Sequence, residues 1–416
     1  APAEAKRAEV ANTDGAPALA PPPPARPLRV IVGGDLLPHR PSLITPASIR
    51  GALEPLGPLF AKADAVIANY EAATGDVDPK AFRLIYAAPR GWLEELPKAG
   101  LKGVTIANNH ACDLGEAGIT ATLEAANASG LLALGADDAD PWTPRVVAEE
   151  NGKRVCAIAW TTISNTEGAC ARSRRLAVAP LSGAGKQRID RALAKARPQC
   201  DATIAILHGG VEYVPQTSMV MDQAGHAAEA GFDAVVIHHP HIASPVVVHG
   251  TKDRRNVPIF ASVGNLATNQ GESWKPPMFP VMTSNRRLVC VNGWTRLGVL
   301  ADLSFSFDGG ARAHLDWGMH LVWIENEHAE DRTVTNPKIA ARLLDPQRDR
   351  RIITQLSEDR RGPLALFTEP CWFERESVSA EERPVDPRCS GSIADVKGAP
   401  RTASPRARVT KRPAAK

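Results

Sequence analysis

The chain has 416 residues and is 44% hydrophobic, enough for one large core or two ordinary ones. A formal net charge of +3 and an aromatic content of 5% argue against a nucleic-acid partner, which needs a strong basic balance and stacking platforms. No stretch approaches the roughly 18 consecutive apolar residues that would mark a transmembrane helix.

Residues 1–27 are rich in Ala and Pro, with four prolines in a row at 21–24, and read as a flexible or polyproline linker. The opening Ala-Pro-Ala-Glu suits a mature chain after signal-peptide removal, and equally a trimmed one. The first apolar run starts at Leu28 and ends in Gly33-Gly34-Asp35. Ser48 is a candidate helix cap, with the helix running to about Lys62. Ala65–Ala68 leads into Asn69-Tyr70-Glu71, a short helix is expected over 89–99, and Gly103–Ala107 leads into Asn108-Asn109-His110. Residues 116–129 are helical by pattern, with Ile119, Leu123 and Ala126 on one face.

Strands are expected over 131–149 and 153–160 with a hairpin turn at Asn151-Gly152. An amphipathic helix over 183–196 precedes the run Ala202–Leu207, which ends in His208-Gly209-Gly210. A helix over 219–230 leads to Val235-Val236-Ile237 and then to His238-His239-Pro240-His241. His239 and His241 are two apart and share a side if the backbone stays extended. Alternation predicts strands over 243–249, 257–263, 287–293, 297–307 and 311–323, with Asp308-Gly309-Gly310 as a hairpin turn. Residues 331–374 form a charged extension with one helix over 347–360, and the polar, basic stretch 375–416 is expected to be disordered.

Continuous apolar runs of this kind fit strands buried on both faces. Helices between them make α/β crossovers, and in such sheets the carboxyl ends of the strands form the ligand-binding edge. Asp, Glu, Asn and His therefore arrive together at one edge, and imidazole with carboxylate suits Mn, Fe or Zn. The seven cysteines contain no Cys-x-x-Cys pair, which argues against a structural zinc knuckle. Cys371 and Cys389 flank a polar segment that invites a disulfide, Cys170 and Cys200 lie in polar stretches, and Cys112 reads as a small buried residue.

The ordered set of strand ends, from Gly34-Asp35 through Asn69-Tyr70-Glu71, Asn108-Asn109-His110-Ala111-Cys112-Asp113 and His208-Gly209-Gly210 to His238-His239-Pro240-His241 and Gly264-Asn265, resembles the CapA family of bacterial capsule or poly-γ-glutamate synthesis proteins. That family is related to the calcineurin-like metallophosphoesterases. The resemblance implies a four-layer α/β/β/α sandwich over residues 28–330, with disordered N- and C-terminal segments.

It also implies a site holding one or two divalent transition metal ions (Mn, Fe or Zn), with Asp35, Glu71, Asn109, His208, His239 and His241 as ligands. Asn109 and His110 would be catalytic, His110 as a general acid or base. Asn69, Glu212, Tyr213, His238 and Asn265 would contact substrate. Arg83, Arg254, Arg255, Arg286 and Arg287 are candidates for recognising carboxylates. The Asp-x-His of the phosphoesterases is Asp35-Leu36-Leu37 here, and His39 stands at the wrong spacing for that missing ligand.

The implied function is extracytoplasmic biosynthesis or processing of an anionic envelope polymer, by metal-dependent hydrolysis or transfer of an amide bond. Expected partners are poly-γ-glutamate or a peptidoglycan-like peptide, a membrane-bound synthase complex, and no nucleic acid. A non-catalytic polymer-binding component with a degenerate site and a metal-dependent phosphoesterase are the alternatives.

Overall fold

A computed structural model describes residues 26–39, 42–76, 85–165, 173–214, 217–278, 286–307, 312–345 and 347–358. Among these the strands are β1 (Leu28–Leu36), β2 (Ala65–Tyr70), β3 (Ala73–Thr74), β4 (Ala87–Ala88), β5 (Gly103–Thr105), β6 (Leu132–Leu134), β7 (Arg145–Glu150) and β8 (Lys153–Thr161). The second half adds β9 (Ala202–His208), β10 (Ala234–His238), β11 (Ala243–Gly250), β12 (Asn256–Val263), β13 (Asn265–Ala267), β14 (Leu297–Ser306), β15 (His314–Asn326) and β16 (Ile339–Leu343). The helices are α1 (Pro46–Leu53), α2 (Gly57–Phe60), α3 (Gly91–Glu95), α4 (Gly115–Ala128), α5 (Gly183–Ala196), α6 (Ser218–Ala230), α7 (Glu327–Glu330) and α8 (Arg350–Glu358).

Successive side chains of a strand point to opposite faces, so a strand apolar at every position needs cover on both. The fold supplies it. One sheet runs β16-β15-β14-β1-β2-β5-β6 with β13 beside β1, and the other runs β11-β12-β10-β9-β8-β7. Val30, Val32 and Ile67 of the first meet Ala157, Ile204, Ile206, Val236 and Phe260 of the second in a shared core. The alternate residues Ile31, Val66 and Ala68 turn outward onto Leu53, Trp92 and Ile119 of α1, α3 and α4. Trp160, Leu207, Val235 and Ile237 turn the other way, onto Ile189, Leu193 and Ala224 of α5 and α6. The layers are therefore α/β/β/α, as the resemblance implied.

Local departures have local causes. Asn151 and Gly152 take the positive φ of a two-residue hairpin turn between β7 and β8, as predicted. The expected strand over 131–149 is broken, because Asp137 caps a loop by accepting from the amides of Ala139 and Asp140. The expected strand over 287–293 is a 3-10 helix, Arg286–Val291, and its Val289 and Cys290 carbonyls accept from Gly271 and Ser273 rather than from a neighbouring strand. Thr45 rather than Ser48 caps α1, its hydroxyl accepting from the Ser48 amide. In the stretch read as a charged extension, β16 pairs with β15, and Ile339 and Ala341 pack on the α1 side. The linker up to residue 25, the turn at 308–310 and the tail 375–416 lie outside the described residues.

Cys156 on β8 and Cys200 just before β9 form a disulfide joining two adjacent parallel strands. Cys112 is also disulfide-bonded, a correction to its reading as a simple buried thiol. Cys170, Cys371 and Cys389 lie outside the described residues. Replacing Cys156 by Ala with Cys200 by Ser is expected to cost about 3 kcal/mol, because the bridge closes a long loop in the unfolded chain. Urea denaturation measures it, and an unchanged midpoint would count against that contribution.

Asp302 on β14 accepts from the Arg29 guanidinium at 2.9 and 2.6 Å and contacts His320 at 2.8 Å. Burial works against its ionised form, but these partners prevail and hold the carboxyl down at about 2, from an ordinary 3.8. A depressed carboxylate adds stability that is complete above the unfolded value and lost as pH falls toward the folded one. About 2 kcal/mol should therefore disappear between about pH 5 and pH 2. Asp302→Asn should lose a similar amount at pH 7 and flatten that acid limb, as thermal melts across pH would read.

Candidate metal centre

The site assembles where the carboxyl ends of strands from both sheets meet. Asp35 near the end of β1 is in register with Asn69 of β2 and Asn265 of β13. The chain around it crosses closely, and a Cβ on Gly34 would lie 2.2 Å from the Gly264 carbonyl oxygen. Only glycine fits there, and this crossing brings Asn265 against Asp35. From the second sheet, His208 ends β9 opposite His238 at the end of β10. The expectation of an extended backbone after His238 does not hold. His239 and His241 have φ of 99° and 57°, and a left-handed turn brings their rings to 5.9 Å.

Asn69 is the hub. Its Oδ1 accepts from the Thr105 hydroxyl at 2.9 Å and the Asn108 amide at 3.2 Å, which fixes the orientation of its own amide. That amide, Nδ2, then faces Asp35 Oδ1 at 2.8 Å, His208 Nδ1 at 3.2 Å and Glu71 Oε2 at 3.4 Å. Asn265 does the same for His241. Its Nδ2 donates to the carbonyls of His241 and Thr295 and to Gln270 Oε1, so its Oδ1 is the acceptor facing His241 Nδ1 at 3.1 Å. Asp35 Oδ2 is also 3.1 Å from that nitrogen. With two acceptors at Nδ1, the His241 proton sits there, and Nε2 presents a lone pair. A carboxylate-supported imidazole of this kind is the usual form of a metal-ligating histidine.

The electrostatics are those of a buried cluster of carboxylates and imidazoles. Burial pushes the Glu71 carboxyl well up, and the nearby Asp35 and Glu212 charges push it further. Burial also works to raise Asp35, but the His241 hydrogen bond, the His241 and His238 rings and the Asn69 amide outweigh it and hold the group low. His208 is driven well below the ordinary imidazole range by burial and by the neighbouring histidines. His238 is lowered by burial, partly offset by Asp35 and by the Gly33 carbonyl that its Nε2 meets at 2.8 Å.

The donor set fits a metal. Two groups, Glu71 with His239 and His241, and Asp35 with Glu71 and His208, each place one ligand atom per residue within 4.8 Å of the others. Glu71 belongs to both. Its Oε1 is buried without a hydrogen-bond partner, 3.6 Å from His241 Nε2 and 3.8 Å from His208 Nε2. Two atoms each about 2.1 Å from one ion at a tetrahedral angle lie about 3.4 Å apart, close to these spacings. Asn109 Oδ1 stands 2.8 Å from His208 Nε2. Asp35, Glu71, Asn109, His208, His239 and His241 are thus brought together, all buried.

His110 stands beside this group. Its Nδ1 meets Asp113 Oδ2 at 2.7 Å, and its Nε2 meets the Asn165 amide at 3.2 Å. Of the residues expected to contact substrate, Asn69, Asn265 and His238 are buried and organise the group from behind. Tyr213 is buried against His241, 5.8 Å between rings, with its hydroxyl taking a hydrogen bond from Gln270. Glu212 is half-buried.

Asp113, Asn165, Tyr86 and Gln270 were not foreseen in these places. Asp113 alone had a signal, three residues after His110 within the quoted motif. Arg255 is structural, bound to Asp253 and to the carbonyls of Phe232 and Ala228, and Arg254 is exposed. The side chains of Arg83, Arg286 and Arg287 lie outside the described residues.

Residues 29–270 match the family described as bacterial capsule synthesis protein PGA_cap. The PGA biosynthesis protein CapA of Bacillus subtilis (strain 168) is 28% identical over 168 residues, 40% of this chain and 42% of its own length. The capsule biosynthesis protein CapA of Bacillus anthracis is 24% identical over 223 residues, 52% of this chain and 53% of its own. The chain thus spans about half the length, or less, of these curated relatives.

Proposed function

Since the chain belongs to the PGA_cap family of bacterial capsule synthesis proteins, we propose that it acts outside the cytoplasm on an anionic envelope polymer of the poly-γ-glutamate type, by metal-dependent hydrolysis or transfer of an amide bond. The observation that carries this reading is Glu71, common to two candidate ligand groups, with the His110–Asp113 pair alongside. The Cys156–Cys200 disulfide supports an oxidising compartment.

When bound, a Mn, Fe or Zn ion would polarise the carbonyl and lower the pKa of a water nearby. Asp35, Glu71, Asn109, His208, His239 and His241 would hold it. The chain's own task is proton handling. In hydrolysis a water oxygen bonds to the amide carbon, the C–N bond breaks, and the leaving nitrogen needs a proton. His110 Nε2 can take one and return it, while Asp113 holds Nδ1 and stabilises the charged ring. A phosphoester would use the same groups.

The test is to load the purified chain with Mn or Zn and follow γ-glutamyl oligomers by mass spectrometry, with an aryl phosphate ester in parallel. Cleavage or transfer of the oligomer, stopped by a chelator, is the expected outcome. Cleavage of the aryl ester alone would favour a phosphoesterase. A second reading, a non-catalytic polymer-binding component, draws on Asn69, whose amide already faces Asp35, Glu71 and His208. Binding of the oligomer without metal uptake or turnover would favour it.

A further inference from the structure

We infer that the centre takes a single ion, held between Glu71, His239 and His241, because the Asn69 side-chain amide fills the position enclosed by Asp35, Glu71 and His208. The inference rests on the metal-dependent reading above and narrows it to one of the two candidate ligand groups.

Asn69 is placed there by its neighbouring strands. β2 lies between β1 and β5, and Asn69 is in register with Asp35 of the one and Thr105 of the other. All three residues are buried, as are Glu71, Asn108 and His208. Asn69 Nδ2 lies 2.8 Å from Asp35 Oδ1, 3.2 Å from His208 Nδ1 and 3.4 Å from Glu71 Oε2, facing one atom of each residue in that group. An amide nitrogen carries two hydrogens and is a donor only. A cation in the same space meets N–H groups where it needs a ligand.

The amide cannot turn over to present its oxygen, because Asn108 fixes it. The His110 backbone amide donates to Asn108 Oδ1 at 3.0 Å, and Asn108 Nδ2 donates to the Tyr70 carbonyl at 2.7 Å. Asn108 therefore meets Asn69 Oδ1 with a donor, at 3.2 Å, and the Thr105 hydroxyl adds a second at 2.9 Å. Turning Asn69 over would set one NH₂ group against another in a buried place, where an unmade hydrogen bond is costly.

The two ligand groups differ accordingly. Both Asp35 oxygens accept hydrogen bonds, Oδ1 from Asn69, and Oδ2 from His241 Nδ1 at 3.1 Å and the His239 backbone amide at 3.4 Å. His208 Nδ1 accepts from Asn69, so the proton of the neutral ring is on Nε2, which donates to Asn109 Oδ1 at 2.8 Å. In the other group Glu71 Oε1 has no hydrogen-bond partner and lies 3.6 Å from His241 Nε2, the nitrogen that presents a lone pair. Asp35 then serves the ion through His241, as a carboxylate behind a ligating imidazole.

The test strips the full chain with a chelator, soaks it in Mn, counts Mn per chain by elemental analysis and records its electron paramagnetic resonance. Wild type is expected to hold about one Mn with the spectrum of an isolated ion. Asn69→Asp puts an acceptor where the NH₂ group stood, and should hold about two with the spectrum of a coupled pair. In chelator its urea midpoint should fall below that of wild type, and Mn should raise it by more than it raises wild type's. His208→Ala should keep its ion, and His239→Ala should bind Mn about 100-fold more weakly or worse.

Two Mn in wild type, or one in Asn69→Asp refolded with Mn present, overturns the inference. So does loss of the ion from His208→Ala with retention in His239→Ala. One Mn in wild type and two in Asn69→Asp, with no γ-glutamyl cleavage by either, refutes the proposed function alone. Two Mn in a wild type that cleaves the oligomer refutes the single-ion inference alone. A wild type that takes up no Mn refutes both.

Discussion

Replacing Glu71 with Gln is expected to empty the centre of metal and to stabilise the metal-free fold. Glu71 is the one residue common to both candidate ligand groups, so its loss weakens either site. Metal affinity should fall by at least about 100-fold, since even changes behind the ligands cost 10- to 100-fold. Stability should move the other way. Without a cation, the Glu71 carboxyl is buried beside Asp35, with Glu212 also nearby, and Oε1 has no hydrogen-bond partner. Keeping a carboxyl whose protonation is pushed well up costs stability near neutrality, whether it stays charged or takes up a proton, and an amide of the same shape removes that cost, about 1 to 3 kcal/mol. Elemental analysis after soaking in Mn or Zn and urea melts in chelator read the two effects. Undiminished metal in Glu71→Gln, or a chelated variant weaker than chelated wild type, would sink the argument.

His110→Ala should give the converse result, with full metal content and turnover lower by about 10² to 10⁴. Its side chain meets Asp113, Asn165 and Tyr86, none of them a proposed ligand. The substitution also leaves the buried Asp113 carboxylate with fewer partners, at a cost of about 1 to 3 kcal/mol. His110→Gln, which can still bond to Asp113, should recover most of that stability and little of the activity. Turnover that survives in both variants would remove His110 from the reaction. Loss of metal in both would make it a ligand instead.

The strand-end residues were legible because a buried strand announces itself as an apolar run, and the polar residues that stop it must sit at a sheet edge. Asp35, Asn69, Glu71, His208 and His238 all follow that rule, and the structure gathers them. The rule fails once the chain leaves the strand. His239 and His241 converge through a left-handed turn rather than an extended step, because the backbone reverses there to carry β10 into β11. The separate tasks of Asn69 and Asn265 were equally hidden. Their amides look like ligand or substrate groups in the sequence, and only their partners make them organisers.

By itself the sequence determined an α/β core, the buried strands that end in polar residues and the set of residues delivered to one edge, while the four-layer stacking came from the family resemblance and β16 went unread. It could do so because burial pattern and strand period are local properties. Tertiary structure decided which of those residues meet, and which others join them. Tyr86, Asn165 and His39 come from three loops far apart in the chain, and they reach His110 or its neighbours only because two sheets stack and their carboxyl ends face one another. Hydrogen-bond direction, and with it the choice of which imidazole nitrogen presents a lone pair, depends on partners 24 to 230 residues away in sequence, as at His241 and His39.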